Sequence, residues 1–443
     1  MSIHCVDGKT ESTKLERLRK LSAENSSIIF NNLGHIINKN YLIEIYDQLG
    51  GNKAVGIDKV TKEKYGESLN ENIDELMIKI RRGVYTSKPA RIIEIPKDDG
   101  STRPLSISCF EDKLVQLAVA KILTEIYEPI FLPCSFGFRE DKNCHQALKR
   151  LHNYTFELNN GAIVEIDIRK YFNTIPHARM MEFLKMKISD KRFLRLIEIL
   201  MKTPSSINGG INENEIGCPQ GSIISPILSN IYLHYVIDIW FNEISKTHLN
   251  GKCYEIRFAD DMVFLFENYQ EAERFFNVLP KRLEKYGLTL HLDKSQLIPS
   301  GKYAAAKSFV NGKRLPTYKF LGFTCYWGLS RNRKFWRLHL KSRGDRMRKK
   351  LKEIKENLWT LRAGNTEDVL KKMLSVLRGW INYHSVSDNQ RQVHKFIFSS
   401  KKILWKWFNR RGGNKYVSWE KVKSICEIWK LPSKFVIKSM FTS

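Results

Sequence analysis

The chain has 443 residues and carries 74 Lys and Arg against 47 Asp and Glu, a net charge of +27. That length suits roughly two to four subdomains, and the 42% hydrophobic and 11% aromatic content excludes general disorder. No run of about eighteen apolar residues is present, so no membrane-spanning helix is expected. The first twenty residues lack an apolar stretch, which argues against secretion. The eight cysteines (Cys5, Cys109, Cys134, Cys144, Cys218, Cys253, Cys325, Cys426) are scattered without a C-x-x-C pair. They predict reduced thiols and no zinc ribbon.

In chain order, residues 11–50 read as helical and polar, with Ile28, Ile29, Leu33, Ile36 and Ile37 near helical spacing. Gly51–Asp58 is a glycine-rich turn. Asn70–Arg82 has the pattern of an amphipathic helix ending near Gly83. Ala90–Pro96 alternates like a strand and turns through Lys97–Gly100. Residues 110–127 read as a helix, and Gly161–Ile168 as a β-prone run with an acid, Asp167, near its end. Helices are expected from about Pro176 and after Pro226. Cys253–Phe258 and Met262–Phe266 read as two strands of a hairpin with Asp260 and Asp261 at its tip. A helix at 269–286, a strand at 288–298 and a strand at Tyr318–Tyr326 follow. Everything after about Arg337 reads as helices. The pattern is an α+β unit followed by an all-α region.

The charge is uneven. Arg331–Ser443 holds 29 Lys and Arg against 8 Asp and Glu, a surplus of 21. Such a surface gains affinity for nucleic acid by releasing counterions, and the interleaved Trp336, Trp359, Trp380, Tyr383, Trp405, Trp407, Trp419 and Trp429 offer faces for bases or for packing.

The acids supply the chemistry. A lone Asp-Asp pair is common in turns. Here its flanks, Ile256, Phe258, Val263, Phe264, Leu265 and Phe266, are apolar, and acids in such surroundings are costly without a use. If this hairpin and the strand ending at Asp167 share a sheet, three carboxylates converge. They then need cations beside them, and Mg²⁺ suits oxygen donors of this kind. Two such ions, about 3.5–4 Å apart, serve nucleotidyl transfer by activating a 3′ hydroxyl and stabilising pyrophosphate.

At these residues the chain resembles the reverse transcriptase/maturase proteins encoded by group II introns, over about 51–407. Six ordered blocks carry the resemblance: Ser135–Arg139 with His145, Glu165–Phe172, Cys218–Pro226, Phe258–Asp261, Phe320–Phe323 and Leu377–Tyr383. It implies a right-hand polymerase, with an N-terminal helical extension over 1–60, fingers over 61–160, a palm over 161–330 with part of the fingers interleaved, and a basic helical thumb or maturase domain over 331–443. It implies that Asp167, Asp260 and Asp261 hold two Mg²⁺ ions, with Mn²⁺ a possible substitute. Lys97 and Arg103 match the pair gripping the incoming triphosphate. Phe172 matches the ring that selects deoxynucleotides by crowding a 2′ hydroxyl. Gln220 would touch the nucleotide or the template-primer, and Lys294 would protonate the departing pyrophosphate.

The partners implied are an RNA template, a DNA primer, dNTPs and a structured intron RNA. The compartment implied is bacterial cytoplasm or an organellar matrix. The chain departs from the family pattern at Leu105–Ser108, Arg139–Asn143, Asn173 and Phe258. Those departures keep two alternatives open: a domesticated relative in phage defence or DNA repair, and a splicing factor with an idle polymerase site. No Cys/His-rich nuclease segment follows the helical region, so no DNA endonuclease activity is expected.

Overall fold

A computed structural model describes residues 11–96, 100, 102–207, 210–361, 364–411 and 416–441. Helices α1 (Glu11–Glu24), α2 (Lys39–Gln48), α3 (Lys62–Gly66) and α4 (Leu69–Arg82) lead into strands β1 (Ala90–Pro96) and β2 (Thr102–Ile107), then α5 (Phe110–Tyr127) and α6 (Cys144–Glu157). The middle runs β3 (Gly161–Ile166), α7 (Tyr171–Thr174), α8 (His177–Lys185), α9 (Lys191–Met201), β4 (Ser205–Ile207), β5 (Gly210–Asn212), α10 (Ser225–Leu233), α11 (Ile239–Thr247), β6 (Cys253–Phe258), β7 (Asp261–Phe266), α12 (Tyr269–Lys285), β8 (Gln296–Ser300) and α13 (Lys302–Val310). It ends with β9 (Tyr318–Phe320), β10 (Phe323–Leu329) and β11 (Trp336–Ser342). Helices α14 (Gly344–Thr360), α15 (Thr366–His384), α16 (Gln390–Arg411) and α17 (Trp419–Ile428) complete the described chain.

The central sheet has the order β6-β7-β3-β8 and is antiparallel throughout. Strand alternation sends successive side chains to opposite faces, and both faces are buried. Ala162, Val164, Ile166, Met262, Phe264 and Phe266 pack into the core shared with α5, α8, α10 and α12. Ile163, Ile256, Val263, Leu265 and Ile298 pack into a second core with α6 and β9–β11. A separate sheet, β2-β1-β4-β5, joins strands β1 and β2 to strands β4 and β5. A third core lies among α14–α17.

Four expectations change. Residues 25–38 hold no α-helix, only a single 3-10 turn at Gly34–Ile36, and Phe30 bridges Ile188, exchanging hydrogen bonds with Lys187 and Ser189. Leu33, Ile36 and Ile37 are still buried, so tertiary pairing overrode their helical spacing. The strand expected at 288–298 shrinks to β8, because 291–295 turn to engage the backbone of Asp167. Tyr318–Tyr326 is not one strand but two, split at Leu321–Gly322. The all-helical region begins at Gly344 rather than about Arg337, since β11 pairs with β10 along its length.

Most of the C-terminal tryptophans pack: Trp407 is buried, and Trp380, Trp405, Trp419 and Trp429 line its core. Trp359 is exposed, with Arg410 over its ring. The seven described cysteines are free thiols. Among the described residues no helix is long and apolar enough to cross a membrane.

Candidate active site

Register assembles the acids. Glu165 pairs with Val263 and Ile166 with Met262, so one step further Asp167 falls opposite Asp261. Asp261 also pairs with Phe258 across the β6–β7 hairpin, which leaves Ala259 and Asp260 as its two-residue turn. Glu165, Asp167 and Asp261 therefore share the sheet face of Ile163 and Val263, with Asp260 beside them at the tip. Sequence reasoning singled out three of these four acids. Glu165 was missed, although its two-residue offset from Asp167 places both on one face.

The electrostatics follow from this crowding. Burial, with added repulsion from Asp260 and Glu165, pushes the Asp261 carboxyl up to about 7. Burial and then the charge of Asp167 raise Asp260, while Arg103 opposes the shift. Burial also raises Glu165, which accepts from Gln296 Nε2 (2.5 Å) and the Lys319 amide (3.3 Å). Asp261 Oδ2 accepts from the Leu321 amide at 3.2 Å.

The hairpin is held from within by Arg257, which is wholly buried on β6. Its guanidinium grips Asp238 with two bonds, Nε to Oδ1 at 2.7 Å and Nη2 to Oδ2 at 2.6 Å. It also donates to Asn230 (2.9 Å), Ser135 (2.8 Å) and, more weakly, the Ala259 carbonyl (3.4 Å). Asn230 Nδ2 donates to the Gly137 carbonyl at 2.7 Å. A side chain at Gly137 would come within 2.3 Å of the Ala259 amide nitrogen, so this segment lies flat against the turn.

Cys134, Asp238 and Glu255 place ligand atoms within 4.8 Å of one another, but Arg257 occupies both Asp238 oxygens. Burial, then the Asp238 charge, raises Glu255 well above the usual range. The trio is a buried charge network around Arg257. None of its members was singled out from the sequence, because their partners lie far apart along the chain.

The remaining candidates surround the acids. Lys294 Nζ lies 3.8 Å from Asp167 Oδ2. The Asp167 amide donates to Ser295 Oγ (3.1 Å), and its carbonyl accepts from the His291 amide (2.8 Å). Phe172 is half-buried on α7, edge-on to Tyr171, and its carbonyl accepts from the Cys218 amide at 2.7 Å. That bond draws in the 218–221 loop, where Gln220 Nε2 donates to Asn173 at 3.0 Å and Gln220 Oε1 has no hydrogen-bond partner. The Gln220 carbonyl takes the Ser106 amide at 2.6 Å, tying the loop to β2. Arg103 is exposed on the same strand. Lys97 lies outside the described residues.

An antiparallel sheet with carboxylates gathered at one end, beside Arg103 and the Gln220 loop, presents the oxygen donors that nucleotidyl transfer requires. The model of the reverse transcriptase (RNA-dependent DNA polymerase) family matches residues 95–325, more than half of the chain. The chain belongs to that family, and residues 345–425 match the group II intron maturase-specific domain.

Among similar proteins is the group II intron-encoded protein LtrA of Lactococcus lactis subsp. cremoris, 34% identical over 224 residues, which is 50% of this chain and 37% of LtrA. An uncharacterized 91 kDa protein in the cob intron of Schizosaccharomyces pombe is 32% identical over 248 residues, 55% of this chain and 30% of that protein. Protein YkfC of Escherichia coli is 32% identical over 205 residues, 46% and 53% respectively. The matched stretches thus span about a third to half of these relatives' lengths.

Proposed function

We propose that the chain is an RNA-directed DNA polymerase that holds two Mg²⁺ ions on Asp167, Asp260 and Asp261. The observation that carries this reading is the register meeting of Asp167 with the Asp260–Asp261 turn on one sheet edge. The donor set fits a hard cation: carboxylate oxygens only, one of them raised to about 7 by burial and like charge, an environment that calls for added positive charge. When bound, the ions supply the charge that activates a primer 3′ hydroxyl and stabilises pyrophosphate.

The protein's own part is positioning. Arg103, whose charge already acts on Asp260, would bind triphosphate together with Lys97. Phe172 would lie under the sugar and disfavour ribonucleotides, and Gln220, with a vacant acceptor, would contact the nucleotide or template-primer. Lys294 would protonate the leaving pyrophosphate from beside Asp167.

In right-hand terms the fingers span 61–160 with β4 and β5 joined to their sheet, the palm spans 161–330, and the thumb or maturase domain spans 331–443, its first strand β11 paired with β10. The surplus of 21 positive charges over Arg331–Ser443 supports binding of template RNA and of a structured intron RNA, as a splicing and mobility factor in a bacterial cytoplasm or organellar matrix.

Primer extension on an RNA template with dNTPs and Mg²⁺ tests the polymerase. Full extension by Asp260→Ala and Asp261→Ala variants would overturn it, and equal use of rNTPs and dNTPs would overturn the role of Phe172.

A further inference from the structure

The β9–β10 turn adopts a conformation its sequence does not favour. Phe320 pairs directly with Phe323, so Leu321 and Gly322 are a two-residue loop, with φ of 45° and 79°. Turns with both central residues left-handed ordinarily take Asn, Asp or Gly first. A leucine there costs on the order of 1–2 kcal/mol. Such strain persists only where the surroundings over-determine it.

Two hydrogen bonds do so. The Leu321 amide donates to Asp261 Oδ2 at 3.2 Å, and its carbonyl accepts from the Tyr383 hydroxyl at 2.8 Å. Tyr383 is itself fixed near the end of α15. Its ring stacks on Phe323, with centroids 5.9 Å apart, and its carbonyl accepts from His145 Nε2 at 2.8 Å. Arg346 of α14 lies against the same turn, since a side chain at Gly322 would come within 2.9 Å of its guanidinium.

We propose that Tyr383 is a positioning residue for the metal-binding carboxylates. By holding Leu321 in its left-handed conformation, it aims the Leu321 amide at Asp261 and fixes the rotamer of that acid. The placement of α15, inside the maturase-specific segment, is thereby communicated to the cation site of the palm. The inference rests on the polymerase reading and adds a control element to it.

The test uses the full chain and Mn²⁺ binding measured by electron paramagnetic resonance, alongside the Mg²⁺ midpoint of primer extension. Asp260→Asn should lose Mn²⁺. Tyr383→Phe should bind it about 10-fold more weakly, in the range found when a group orienting a ligand is removed. Its Mg²⁺ midpoint should rise in step, while its melting temperature and affinity for RNA–DNA duplex stay at wild-type values. Adding Leu321→Gly to Tyr383→Phe should recover Mn²⁺ affinity in part, because glycine enters the left-handed conformation without the strain a leucine incurs there. Wild-type Mn²⁺ affinity in Tyr383→Phe, with binding lost in Asp260→Asn, overturns the Tyr383 role alone. Absence of Mn²⁺ binding in the wild type, or full binding in Asp260→Asn, overturns the metal reading and this role with it.

Discussion

Two turns meet at Asp261, and they are secured in opposite ways. The Ala259–Asp260 turn is anchored from beneath by a buried charge network, all of it drawn from residues between Cys134 and Arg257. The Leu321–Gly322 turn has no ion pair of its own. Its carbonyl bond comes from a tyrosine 62 residues further along the chain. The first turn is therefore as rigid as the sheet that carries it. The second is only as fixed as a helix of another region. Asp261 takes its backbone from the rigid turn and its side-chain partner from the adjustable one.

The sharpest way to break this contrast is to remove the acid at the rigid tip. Asp260→Ala should reduce primer extension by about 10³-fold, the scale seen when one electrostatic partner of a transition state is lost, with little change in melting temperature. Asp238→Ala attacks the same turn from below. It leaves the Arg257 guanidinium buried and unpaired, which should destabilise the fold by about 3–5 kcal/mol in denaturant titration, and activity should fall with it.

A third experiment isolates the side chain between the turns. The carboxyl of Asp261 ionises near 4 in an unfolded chain but at about 7 in the folded one. Its contribution to stability is thus complete below about pH 4 and is lost as the pH rises through about 7. Without divalent metal, the wild type should lose melting temperature relative to Asp261→Asn between about pH 4 and 7, and Mg²⁺ should restore it at the upper end. Smallest is Lys294→Ala. Its ion pair with Asp167 is long and half exposed, so stability should shift by less than about 1 kcal/mol, with any effect confined to the chemical step in single-turnover assays.

The rigid turn was far more legible in the sequence than the adjustable one. The β-prone run Gly161–Ile168 and the hairpin Cys253–Phe266, with acids at its tip, carry their own alternation, and their pairing in one sheet is what brings the acids together. Arg257 sits within that alternation, but nothing local reveals that it is the buried partner of Asp238 on the π-helical turn before α11. The Leu321–Gly322 turn hides within what reads as a continuous strand, because aromatic and β-prone residues surround it over Tyr318–Tyr326. The glycine inside it was the available signal. In β11, Trp336–Ser342 does alternate apolar with polar, yet its Arg, His and Lys read as part of the basic helical region. What stayed hidden in each case was a long-range partner.

The hairpin of β10 and β11 has a practical bearing on engineering. It bridges the gap between the two family matches, which end at 325 and resume at 345. A chimera joined at residue 331, where the charge changes, would sever paired strands and expose Cys325, Leu338 and Leu340 from their shared core. Exchanging the helical region with a relative's calls for a junction at Arg343–Gly344, where the last strand has ended and the first helix begins.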